Sequence, residues 1–140
     1  MRVLLTGSRT WKKRGPVEAL MLGMKDATFI LGDNPNGLDA LAKKVAEDHN
    51  LSHIVKIAKW DDIGRGAGPK RNSEMVAEKP NVAFAFKQQA ESVGTEDCMR
   101  KCVQAGVPVY LITPIDINSP GMLKSPGTKG YRYNSAFDGE

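Results

Sequence analysis

The chain is poor in cysteine, histidine and aromatic residues, and it has no long apolar run. Its two cysteines, Cys98 and Cys102, fall four apart on a predicted helix, where the Cβ vectors are poorly placed for a disulfide. With Met99 and Val103 they form an apolar stripe, so both are expected to be reduced thiols in or near the core. His49 and His53 make no convincing ligand pattern with them, and neither a metal nor a cofactor is expected. The longest apolar runs, such as Val3-Leu4-Leu5, are far too short to cross a bilayer, which excludes a transmembrane protein. The amino terminus passes from Arg2 through one short apolar strand into Gly7-Ser8-Arg9, unlike a signal peptide, so a cytoplasmic location and no membrane partner are expected. Aromatics at 6% and a net charge of only +4 do not favour a dedicated nucleic-acid module, although one stays open. Neither G-x-G-x-x-G nor G-x-x-x-x-G-K-[ST] occurs, so the dinucleotide fingerprint and the P-loop are both absent.

What is present suits a single domain. The 140 residues are 41% hydrophobic and 26% charged, which excludes a wholly disordered or collagen-like chain. Short apolar runs alternate with amphipathic stretches. Strands are expected at 2–6, 27–31, 53–58, 82–86 and 107–112, with helices at 16–24, 38–49, 69–78 and 95–105. The helix at 38–49 is the clearest: Leu38, Leu41, Ala42, Val45 and Ala46 share one face, and Lys43, Lys44, Glu47 and Asp48 share the other. Such alternation predicts an α/β, Rossmann-like, doubly wound open sheet of about five parallel strands, with helices on both faces. Residues 1–112 would form the domain. Residues 113–140, rich in proline and glycine, would form an irregular extension anchored by Tyr131, Tyr133 and Phe137.

Open parallel sheets bind ligands beyond the carboxyl ends of their strands, which points to four loops. In the first, Gly7 would let a ligand approach the backbone, with Ser8 beside it. Arg9 would grip phosphate, and Trp11 would stack on a base or pack as a lid. In the second, Asn36 suits a helix cap with Asp39 near the positive helix end, and Gly32 and Gly37 would open that end to an anion. In the third, Gly68-Pro69-Lys70-Arg71-Asn72 would place two cations in the first turn of a helix, the unfavourable end. A bound anion would reverse that penalty; the bland alternative is that both side chains point to water. In the fourth, Thr95 reads as a cap after Gly94, with Glu96 and Asp97 complementing the helix dipole; the backbone of this turn is a candidate phosphate cradle.

In order along the chain, Gly7-x-Arg9-x-Trp11, the turn from Gly32 to Asp39, Ala67-Gly68-Pro69-x-Arg71-Asn72-x-x-Met75, Ala85-Phe86, Gly94-Thr95-x-Asp97 and Ala105-Gly106-Val107-Pro108-Val109 resemble the SLOG superfamily of Rossmann-like nucleotide-ligand domains, in its small stand-alone YspA-like branch. The superfamily includes the Lonely Guy phosphoribohydrolases and the DNA-processing protein DprA. The hydrolases carry Pro-Gly-Gly-x-Gly-Thr-x-Glu-Glu. Here Gly94-Thr95 matches its Gly-Thr, Asp97 stands at the first Glu, Cys98 replaces the second, and the Pro-Gly-Gly is missing. The resemblance implies a nucleotide or nucleotide-derived ligand, with the protein acting as sensor, sequestering protein or hydrolase. Hydrolysis of the N-glycosidic bond of nucleoside monophosphates would use Asp97 or Glu96 as the carboxylate near the sugar, with Arg71 orienting phosphate. Single-stranded nucleic-acid binding is the remaining alternative. A homo-oligomer paired through helices is also implied.

Overall fold

The computed structural model describes residues 1–88 and 93–114. Five parallel strands form one sheet in the order β3-β2-β1-β4-β5. They are β1 (Arg2–Gly7), β2 (Thr28–Leu31), β3 (His53–Val55), β4 (Val82–Phe86) and β5 (Val109–Ile112). The helices are α1 (Arg14–Gly23), α2 (Gly37–Asp48), the short α3 (Trp60–Ile63), α4 (Ala67–Ala77) and α5 (Val93–Gln104), with a 3-10 turn at Gly64–Gly66.

Successive side chains of a strand point to opposite faces, and here they divide the core in two. Val3, Leu5, Phe29, Leu31, Phe84 and Phe86 meet the apolar stripes of α1 and α2, including Val17, Met21, Leu38, Ala42 and Val45. Leu4, Ile30, Ala83 and Ala85 meet Met75 of α4 and Cys98, Met99 and Cys102 of α5. β4 shows the division most clearly: its phenylalanines fill one face and its alanines leave room for sulfur-bearing side chains on the other. All five of its residues are buried, as a central strand covered on both faces requires. The doubly wound α/β architecture is therefore present, with helices on both faces.

Element boundaries depart from the sequence pattern at three informative places. β3 ends at Val55 instead of running to Ala58. It is an edge strand: Lys56 N–H still bonds Leu31 O, but Ala58 N–H turns away to the Asp33 carboxylate. α4 starts at Ala67, two residues before Pro69. The first four N–H groups of a helix have no intrahelical partner, so proline is tolerated anywhere in the first turn and marks that turn, not its first residue. α5 starts at Val93, which makes Thr95 a buried first-turn residue and not the cap. The extension, with Tyr131, Tyr133 and Phe137, lies outside the described residues.

Cys98 and Cys102 are both free and buried under the sheet. Their mutual hydrogen bond, together with burial, pushes the Cys98 thiol well above its ordinary range. The native protein should accordingly not react with Ellman's reagent, and both thiols should titrate once it is denatured. Fast native labelling would mean that α5 is not held as described.

Candidate functional site

The strand order reverses at β1: the chain winds outward through β2 and β3, then crosses to β4 and β5 on the other side. A crevice at the carboxyl ends of the strands is the geometric consequence. Its floor is tightly pinned. A Cβ on Gly7 would lie 2.6 Å from Leu38 Cγ and from Phe86 O, so only glycine lets α2 and β4 approach β1 this closely. Ser8 is buried; its N–H donates to Phe86 O, and its Oγ accepts from Gln88 N–H, both at 2.9 Å. Its carbonyl accepts from the N–H groups of Trp11 and Leu38, both at 3.1 Å. Ser8 thus ties the β1 loop to β4 on one side and to the start of α2 on the other.

That arrangement corrects two expectations. The start of α2 is not simply open to an anion, because the Ser8 carbonyl already takes the Leu38 N–H, and Gly37 packs against Ser8 and Arg9. Asn36 occupies the cap position without a side-chain bond to the helix; its own N–H is held by Asn34 Oδ1 at 3.0 Å. Trp11 neither stacks nor forms a lid. It is 1% exposed, lies edge-on to Phe86 with ring centroids 5.3 Å apart, and donates its indole N–H to Lys13 O. An aromatic ring with its polar atom satisfied gains more from the core than from water. Arg9, in contrast, is exposed beside the crevice.

The rest of the site is a chain of polar contacts running from β2 through α4 to α5. Arg71 Nη1 lies 2.8 Å from Asp33 Oδ1, and its Nε donates to Asn72 Oδ1 at 3.2 Å. The buried Asn72 amide donates to Gly94 O at 3.1 Å and to Asp97 Oδ2 at 3.0 Å. Asp97 is also paired with Lys101 Nζ at 3.0 Å, and Lys101 donates to Pro69 O. Glu96 is paired with Lys87 Nζ at 2.6 Å. The structure therefore brings Arg71, Asn72, Gly94 and Asp97 together. Lys70 is the fourth residue of α4 and Arg71 the fifth, so Arg71 lies beyond the first turn, and it is neutralised by Asp33. Gly68 serves packing: a Cβ there would meet the ring of the exposed Trp60 at 3.0 Å.

Asp39 is the most perturbed acid of the site. It is 8% exposed, and burial pushes its carboxyl up to about 6, against the opposing pull of the Asn34 N–H and the Arg71 charge. Its Oδ2 accepts from Asn34 N–H at 3.1 Å and lies where a Gly32 side chain would stand, at 2.6 Å from an ideal Cβ. Gly32 thereby admits both Asp39 and Arg71 to the end of β2. Among the described residues no three His, Cys, Asp or Glu side chains gather as a metal site would need. Sequence patterning does not single out Asp33 or the exposed Trp60. An available signal for Asp33 is its position: an acid directly after the second strand of an alternating α/β chain.

A shallow surface depression adjoins this cluster, lined by Ile57, Lys59, Ala67, Lys70, Arg71 and Glu74. Among the described residues no helix is long and apolar enough to cross a membrane.

Fold and site together define a Rossmann-like α/β protein with a polar crevice at the strand reversal. No family model matches the chain. It is 37% identical over 117 residues to the Gene 61 protein of Mycobacterium phage D29, covering 77% of this chain and 93% of that protein. The chain belongs to the family of that Gene 61 protein.

Proposed function

We propose that the protein is a SLOG-type domain that binds a nucleotide or nucleotide-derived small molecule in the crevice at the carboxyl ends of its strands. The observation that carries this reading is the reversal of strand order at β1 next to a polar cluster of buried Asp39 and Asn72 with the half-buried Arg71. Buried polar groups cost stability unless partnered, and binding sites are where chains retain them. Binding is favoured over N-glycosidic hydrolysis because both carboxylates that hydrolysis would use, Asp97 and Glu96, are held in ion pairs with Lys101 and Lys87. The same reading carries a cytoplasmic location and a homo-oligomer.

The test is a thermal-shift and calorimetric panel on the full chain with AMP, ADP-ribose and cyclic dinucleotides. A bound ligand at about 100 Kd should add about 2.7 kcal/mol of stability. Absence of any shift across the panel, with a control protein responding normally, overturns the reading.

A further inference from the structure

We propose that the ring of Trp60 is the platform on which the base of the ligand stacks; this rests on the nucleotide reading above and narrows it to ligands that present an aromatic base, as against sugar phosphates. The chain treats its two tryptophans in opposite ways. Trp11 is 1% exposed, lies against Phe86 and has its indole N–H satisfied by Lys13 O. Trp60 is 55% exposed. A tryptophan ring is among the largest apolar surfaces a chain can bury, and a fold that leaves one out forgoes that gain. A single exposed apolar side chain needs no explanation by itself. What distinguishes Trp60 is its seat.

Trp60 opens α3, and the tip of its ring points at Gly68 in the first turn of α4. A Cβ on Gly68 would stand 3.0 Å from Cη2, 3.5 Å from Cζ2 and 3.9 Å from Cζ3. These three atoms are consecutive along the outer edge of the six-membered ring. The ring therefore meets α4 edge-on, and its faces are not spent on that contact. Gly68 is itself buried, and it precedes the buried Asn72 by four residues, so the two lie on one side of the helix. Asn72 is the residue that donates to Gly94 O and Asp97 Oδ2. The indole thus stands about one helical turn beyond Asn72, on the side of α4 that faces the start of α5, and continues the line of the polar cluster.

Charges of both signs flank the ring in the chain: Lys59, Arg65 and Lys70 against Asp61 and Asp62, all exposed. This near balance gives no general attraction for a polyanionic strand and leaves the π-face as the feature that recognises. A second copy of the chain is the other candidate occupant. Among the described residues the exposed large apolar side chains are Met1, Leu22, Ile57, Trp60 and Val93, and only Ile57 and Trp60 share a connection. Two side chains fall far short of the roughly 800 Å² that each partner of a stable pair buries. A base needs only one ring to stack on, and this ring borders the crevice.

The experiment is calorimetry of the full chain with AMP, GMP, ADP-ribose and a cyclic dinucleotide, beside ribose 5-phosphate as the counterpart without a base, with tryptophan emission and acrylamide quenching followed in parallel. The best-bound nucleotide should bind about tenfold or more tighter than ribose 5-phosphate, the scale of one base–aromatic stack. It should also quench the emission and shield the ring from acrylamide. Trp11 is in the core, so these optical changes belong to Trp60. Trp60→Leu should shrink the gap between nucleotide and ribose 5-phosphate several-fold, and Trp60→Phe, which keeps an aromatic face, should retain most of it. Nucleotide binding with unchanged emission and unchanged acrylamide access overturns this inference while leaving the nucleotide reading intact; no binding by any of the four overturns both. Shielding that grows with protein concentration in the absence of nucleotide means that a second copy covers the ring, and the inference fails. The wild-type measurements do not depend on a variant folding. If Trp60→Leu folds by circular dichroism and keeps the full gap, the base is held elsewhere and the assignment to Trp60 fails.

Discussion

Gly37→Ala is expected to destabilise the protein by about 2–4 kcal/mol and to lower its melting temperature by roughly 10 °C. Two independent costs add at this position. Gly37 has φ +72°, the left-handed region, where a side chain costs about 1–2 kcal/mol. The new Cβ would also stand 2.3 Å from Ser8 O and 2.5 Å from Arg9 Cα. Both are backbone atoms, and Ser8 is anchored to Phe86, Gln88, Trp11 and Leu38, so the loop cannot yield without breaking the tie between β1, β4 and α2. Gly15→Ala is the matched control. Gly15 lies within α1 with nothing within 4 Å of its ideal Cβ, and alanine is the better helix former, so that variant should melt at or above the wild type. Equal melting of the two variants in thermal or urea scans would refute this account of the crevice floor.

The fold was legible because its cause is local. Val3-Leu4-Leu5, Phe29-Ile30-Leu31 and the alternation of phenylalanine and alanine in β4 specify buried strands from a few adjacent residues, and the stripe of α2 specifies its inward face. The site was less legible because its contacts are not local. Arg71 and Asp33 are 38 positions apart and Asn72 and Asp97 are 25 apart, and nothing in either segment announces the partner. Only the sheet order brings the end of β2, the first turns of α4 and the start of α5 to the same edge. The two tryptophans show the same limit. Trp11 sits among basic residues and glycine, a setting that suggests exposure, yet it is a core residue closing over Phe86. Trp60, beside two aspartates, is the exposed one. Composition around an aromatic ring does not report which side of the backbone the fold will cover. The boundary shifts at β3 and α4 have a related origin: in both, a long-range contact or a tolerated proline overrides the local period.

Asp39→Asn should raise stability at neutral pH and leave it nearly unchanged near pH 4. The carboxyl of Asp39 is raised from 3.8 to about 6 in the folded protein, chiefly by burial. Between these values the folded state holds a proton that the unfolded chain has released, so wild-type stability falls as pH rises from about 4 through about 6 and then levels off. A shift of this size corresponds to roughly 2–3 kcal/mol, fully felt above the folded pKa. Asparagine keeps an oxygen for the Asn34 N–H and removes the buried charge, so the variant should be more stable by up to that amount at pH 7.5, with the gain fading on acidification. Glu18, Asp48 and Glu78 titrate in the opposite sense, since their ion-pair partners hold them below the usual range and their support is lost only in acid. They are common to both proteins and cancel in the difference. The measurement is urea unfolding of the two proteins at intervals from pH 4 to pH 8. A difference that does not change with pH would mean that Asp39 titrates in the folded protein as it does in the unfolded chain. A growing difference, accompanied by weaker nucleotide binding in the variant, would mark Asp39 as a charge the fold tolerates at its own expense for the crevice it serves.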